Sequence, residues 1–190
     1  MNMIEEIDVL QLTDGLPHVI VRVRDGSGKT GFGECWWGIP TPSEPCRGGA
    51  PIVSAVENLI KPDYLGKDSR QVQSLWYETW DHLYRYGDGG IITMALSGVD
   101  MALWDLNARR LDTSVLELLG GSNRRSIPAY ASFPPLRSND RIIFETRRAI
   151  EHGYTAIKLH ELESSLVEAA REAGGPDLSI MVDVNGHFDI

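Results

Sequence analysis

Hydrophobic and polar positions alternate from Ile4 to Trp36 as in a three-stranded meander, most plainly at Val19, Val21 and Val23, which fall on one face of a strand. Asp25-Gly26-Ser27-Gly28 supplies the turn residues of a hairpin leading into Thr30 to Trp36. The stretch Gly38 to Gly49, rich in Pro and Gly, reads as a loop. Beyond it the period lengthens to that of helices. Ile52, Val56, Leu59 and Ile60 share one helical face, with Pro51 suited to a first turn. A second helix is expected from near Asp68, with Val72, Leu75, Trp76, Thr79, Trp80 and Leu83 in one stripe and an end before Gly87. A third runs from about Gly90 to Arg110 and buries the face bearing Ile92, Leu96, Val99, Leu103 and Leu106.

After Gly120-Gly121 the rhythm becomes strand, helix, strand, helix, strand. Ile127 to Ala131 is short and β-like. A helix capped near Ser138 or Asn139 carries Ile142, Ile143, Ala149 and Ile150 and stops at Gly153. Thr155 to His160 is the second strand. A helix bearing Leu162, Leu166, Ala169 and Ala173 then leads through Gly174-Gly175-Pro176 into a strand from Leu178 to Asn185. Such alternation predicts parallel strands joined by right-handed crossovers, so pattern alone gives an α+β domain over residues 1–125 and a βαβαβ unit over 126–190. Pattern does not distinguish an open sheet from a barrel.

Composition narrows the partners. With 27 acidic residues against 18 basic ones and a formal charge of -9, the surface repels phosphate backbones, and no nucleic-acid partner is expected. Cys35 and Cys46 do not make the disulfide framework of a small secreted domain, and both are expected reduced in a cytoplasmic protein. The first eight residues hold three acidic side chains and no basic one, unlike the start of a signal peptide. The most apolar stretch, Ile91 to Leu106, is broken by Asp100 and Asp105, so no membrane-spanning helix is expected.

Candidate chemistry lies at the C-terminal ends of the second and third parallel strands. Residues two apart on a strand face the same way, so Lys158 and His160 point together, as do Asp183 and Asn185. On neighbouring strands these four converge on the edge where barrels and open parallel sheets place their sites. The absence of a Gly-x-Gly-x-x-Gly run after the first parallel strand and of Cys-x-x-Cys spacing argues against nucleotide or redox chemistry.

The run Lys158-Leu159-His160 followed by Val182-Asp183-Val184-Asn185-Gly186 resembles the Lys-x-Lys and Asp-x-Asn pair of the mandelate racemase and muconate lactonising enzyme branch of the enolase superfamily. Gly31-Phe32-Gly33-Glu34 resembles the Gly-x-Gly-Glu strand of that family's capping domain. Ala95 to Leu106 resembles the long helix before its barrel, and Leu116-Glu117-Leu118-Leu119-Gly120-Gly121 the exit from that region. The resemblance implies an α+β capping domain followed by a partial (β/α) barrel with its first three strands only. It also implies Mg²⁺ as cofactor and proton abstraction next to a carboxylate, the cation stabilising the enediolate. On that reading Lys158 and His160 are the base-side residues, Asp183 is a metal ligand and Asn185 supports it. Trp36, Trp37 and Arg47 border the loop that in relatives leans over the barrel mouth, and Arg47 is placed to recognise a distal carboxylate.

His160 stands where the branch carries a second lysine, which weakens lysine-dependent racemisation; the activity the resemblance implies is that of a sugar-acid dehydratase or a related racemase or cycloisomerase. A small carboxylate or sugar acid is the expected substrate, and a homo-oligomer the expected assembly. A barrel of this kind takes about 250 residues, whereas 65 residues follow Arg125 here (190 minus 125). Little or no activity is expected of these residues alone, and the competing expectation is a catalytically silent, self-associating module with open sheet edges. Blander roles are expected elsewhere: Glu34 is structural, Trp76, Trp80 and Trp104 are core, and His18, His82, His152 and His187 show no ligand spacing.

Overall fold

The computed structural model describes residues 2–12, 18–37, 49–87, 89–124, 126–184 and 186–187. The chain divides into two compact units, Met1–Asn123 and Arg124–Ile190.

In the first unit β1 (Ile4–Leu12), β2 (His18–Asp25) and β3 (Thr30–Trp37) form an antiparallel meander in the order β1-β2-β3. Val19, Val21 and Val23 are fully buried on one face of β2, as their alternation requires. That face packs on α4 (Ile91–Leu111). The contact between β3 and α4 is made by backbone. A Cβ on Gly31 would lie 2.1 Å from the Ala102 carbonyl oxygen, one on Gly33 2.1 Å from the Gly98 carbonyl oxygen, and one on Gly98 2.2 Å from Cys35 Sγ. Phe32 N–H, between the two strand glycines, donates to Asp105 Oδ2 at 2.9 Å and fixes the strand along the helix. The Gly-x-Gly spacing is thus a steric requirement of this approach. Helix α4 is buried on more than the single expected stripe: Ala95, Gly98, Ala102 and Asn107 join the larger apolar residues, because it is covered by the sheet and by other helices.

The first expected helix is α1 (Gly49–Ala55), continued by a π-turn (Val56–Ile60) and α2 (Lys61–Tyr64). Pro62 lacks the N–H that would close the next regular turn, and its ring crowds the carbonyl four residues earlier, so the widened turn sits directly before it. Helix α3 (Val72–His82) starts later than Asp68, because the Asp68 carboxylate accepts from Arg70 N–H at 3.0 Å and Met3 bridges Asp68 in an extended pairing. Trp76 and Trp80 stack with ring centroids 6.3 Å apart and pack against the core. A short α5 (Val115–Leu118) follows, capped by the Ser114 hydroxyl accepting from Glu117 N–H at 3.1 Å.

The second unit holds a parallel sheet, β4 (Ala131–Ser132), β5 (Ala156–Leu159) and β6 (Ser179–Val182), in the order β4-β5-β6. Helices α6 (Asn139–Glu151) and α7 (Ser164–Gly174) make the crossovers. Ile157, Leu159, Ile142 and Ala170 are fully buried at the centre of its core. The first strand is shorter and later than the expected Ile127 to Ala131. Ile127 is 79% exposed, and Pro128 offers no donor to a ladder. Leu162 lies outside the core and before α7, which begins at Ser164. The third strand stops at Val182, short of the expected Asn185, which lies outside the described residues. No helix among the described residues is long and apolar enough to cross a membrane.

Candidate active site

Strand β5 alternates Ile157 and Leu159 into the core with Lys158 toward the other face. The ladder to β6 sets Lys158 opposite Met181 and Leu159 opposite Val182, and Asp183 N–H extends it by donating to the Leu159 carbonyl at 2.8 Å. Asp183 therefore emerges beside His160, just past the C-terminal ends of both strands. Its Oδ2 lies 3.3 Å from Lys158 Nζ and 3.4 Å from His160 Nε2. The amine, the imidazole and the carboxylate thus meet at one point, and Lys158 and His160 are mostly shielded while Asp183 is about half open to solvent.

The other ring nitrogen of His160 is committed. Nδ1 lies 2.6 Å from the carbonyl oxygen of Phe133, which only accepts, so Nδ1 carries a proton. In the neutral imidazole the lone pair is then on Nε2, the atom facing Asp183. Lys158 Nζ also sits 5.7 Å over the centre of the Tyr130 ring, a cation–π contact from the chain entering β4.

Beside this cluster a cleft of about 360 Å³ is lined by Arg137, His160, Glu161, Glu163, Asp183 and His187, among others. Glu161 is buried at 3% exposure and accepts the N–H groups of Leu136 at 2.5 Å and Arg137 at 3.1 Å. Sequence reading singled out neither Glu161 nor Tyr130: Glu161 follows its strand in register with the core, and Tyr130 falls within the expected Ile127 to Ala131 strand, whereas the ladder forms only at Ala131 and Ser132.

Asp183 supplies one hard oxygen donor, and no group of three side chains able to hold a metal ion occurs among the described residues. These residues by themselves do not fit Mg²⁺, which demands several oxygen ligands in near-octahedral array. Asn185 and Arg47 lie outside the described residues. Trp36 is half-buried in β3 against the first unit's core, and Trp37 ends that strand. Glu34 pairs with His18 across β2 and β3. Cys35 is buried, which pushes its thiol up to about 12, so it is no nucleophile; Cys46 lies outside the described residues.

Known proteins resemble the chain along nearly its whole length. The profile of the mandelate racemase / muconate lactonizing enzyme N-terminal domain matches residues 12–120. D-galactarolactone cycloisomerase of Agrobacterium fabrum is 32% identical over 93% of this chain and 46% of its own length. D-gluconate dehydratase of Thermoproteus tenax is 29% identical over 90% of this chain and 36% of its own. Among solved structures, a racemase from Streptomyces coelicolor with bound magnesium superposes with a TM-score of 0.86 at 28% identity, covering 98% of this chain and 56% of that one. The chain spans about half the length of the curated relatives it matches.

Proposed function

The chain belongs to the mandelate racemase / muconate lactonizing enzyme family, and from that premise we propose that it carries the base side of a site that removes the proton beside a carboxylate. The observation that carries this reading is the meeting of Lys158 and His160 on Asp183 Oδ2 at the C-terminal edge of β5 and β6. His160 accepts the proton at Nε2, its tautomer set by Phe133, and the Lys158 ammonium supplies fixed positive charge where the carboxylate of the substrate collects negative charge. Asp183 is one carboxylate of a Mg²⁺ site, supported by Asn185, whose further ligands lie outside the described residues. The two units are the capping domain and the first three strands of a (β/α) barrel.

The substrate class is a sugar acid, and the reaction a dehydration or a related racemisation or cycloisomerisation. Relatives in both sequence and structure bear names of these activities. Little or no activity is expected of the 190 residues alone, since among the described residues Asp183 belongs to no group of three ligands that could hold the cation. The test completes the chain with the C-terminal half of the Agrobacterium cycloisomerase and follows deuterium uptake at the α-carbon of a sugar-acid panel in deuterated buffer with Mg²⁺. Uptake that Lys158→Met and His160→Asn each abolish is expected. A folded, Mg²⁺-binding chimera that exchanges nothing overturns the assignment.

One observation favours a second reading, a self-associating module. Among the described residues nothing pairs with the outer side of β6, where Met181 and Val182 are substantially exposed. Native mass spectrometry of the 190 residues decides: a specific homo-oligomer supports that reading, and a monomer removes it.

A further inference from the structure

Residues 133–137 run Phe133-Pro134-Pro135-Leu136-Arg137, so only three of the five carry a backbone N–H. One ends on β5 itself and two on the chain just beyond it. Phe133 N–H donates to the Lys158 carbonyl at 2.9 Å, and Leu136 and Arg137 N–H donate to Glu161 Oε1. In the opposite direction His160 Nδ1–H donates to the Phe133 carbonyl. Two costly features persist in this small loop. Glu161 is a carboxylate at 3% exposure, and Arg137 has a φ of 52°, a left-handed backbone on a residue with a Cβ. An ordinary surface loop needs neither. The reaction proposed above uses neither.

The ladder bond of Phe133 fixes only its N–H side. Its carbonyl belongs to the planar peptide joining it to Pro134, and that plane turns with the two prolines and whatever anchors their far end. The anchor is Glu161. We propose that Glu161 is a positioning residue: by holding the Leu136 and Arg137 N–H groups it sets the Phe133 carbonyl against His160, so that the imidazole keeps its proton on Nδ1 and turns Nε2 toward Asp183. The consequence for catalysis rests on the reading of His160 as proton acceptor, whereas the geometry is measured without any reaction, so the two fail separately.

The test is long-range ¹H–¹⁵N correlation on the ¹⁵N-labelled 190-residue chain, at a single pH above the imidazole range, with hydrogen exchange of the backbone amides. In the wild type His160 is expected as the Nδ1–H tautomer with the Leu136 and Arg137 amides protected. Glu161→Ala is expected to shift His160 to a mixture dominated by Nε2–H, the form favoured in free solution. It also speeds exchange of both amides by roughly tenfold or more, as the loss of a hydrogen bond to a charged group implies. Glu161→Gln keeps an acceptor oxygen and restores Nδ1–H, with the Leu136 amide proton moving upfield as the charge is lost. A wild-type Nε2–H tautomer overturns the proposal, as does a folded alanine variant that retains Nδ1–H. If the alanine variant loses its dispersed spectrum, the glutamine variant decides: retained Nδ1–H with the upfield Leu136 shift supports the proposal, and an unmoved Leu136 amide overturns it.

Discussion

Lys158 and Asp183 stand on neighbouring parallel strands with Nζ 3.3 Å from Oδ2, and neither side chain supports the core beneath them. The core at that point is closed by Leu159 and Ile157, which face the other way. An ion pair with one partner 40% exposed contributes little to folding after solvent screening. Lys158→Met and Asp183→Asn are therefore each expected to change the unfolding free energy by less than about 1 kcal/mol. Urea unfolding of the single variants checks this; a loss of several kcal/mol would mark the pair as a structural strut.

The glycine pair of β3 has the opposite character. With a Cβ on Gly33 only 2.1 Å from the Gly98 carbonyl oxygen, strand and helix must separate to admit it. Gly33→Ala is expected to cost about 3 kcal/mol, at the upper end of overpacking in a close-fitting core. Gly28→Ala, at a turn with open space around it but a φ of 78°, is expected to cost less, about 1 kcal/mol from backbone strain alone. Urea midpoints of the two variants give the comparison.

Acid should loosen the first unit through Asp25. Its buried carboxylate pushes its own pKa up, but hydrogen bonds from Ser27 and from Ser69 at 2.9 Å, with the Arg110 guanidinium at 3.4 Å, outweigh burial and hold it below the ordinary carboxylate value. A group depressed in the folded state contributes stability that is fully present above its unfolded pKa of about 4 and is lost as pH falls through the folded value. Urea midpoints from neutral pH downward should fall below about pH 4 in the wild type, and that acid limb should flatten in Asp25→Asn, which starts from a lower stability.

Much of this architecture was legible in the sequence because it rests on periodicity and backbone chemistry. The alternation of Val19, Val21 and Val23 gave β2, and the three apolar helical stripes gave α1, α3 and α4. Lys158 and Asp183 were legible from the two-residue spacing within each strand together with the resemblance to the Lys-x-Lys and Asp-x-Asn pair, and the ladder register puts both on one side. Illegible features depended on contacts distant in the chain. The first parallel strand was expected over Ile127 to Ala131, and its shift to Ala131–Ser132 depends on pairing with β5 that two residues cannot announce. The Asp68 side chain bonds its own turn and delays α3. Glu161 looks like a solvated charge until the Pro134-Pro135 loop is seen to spend its last two N–H groups on it. The same holds for His160, whose tautomer is decided by a carbonyl 27 residues away in sequence.

The convergence of β5 and β6 can be read by covalent trapping. The ladder that pairs Leu159 with Val182 sets position 160 beside position 183, and neighbouring strands are roughly 4.8 Å apart, within the span a disulfide bridges. In a Cys46→Ser background, with Cys35 buried and its thiol pushed up to about 12, His160→Cys combined with Asp183→Cys is expected to form an intramolecular disulfide under mild oxidation. Peptide mapping by mass spectrometry would recover residues 160 and 183 in one linked fragment. Recovery of both as separate, unlinked peptides from the folded chain would contradict the shared site on which the account depends.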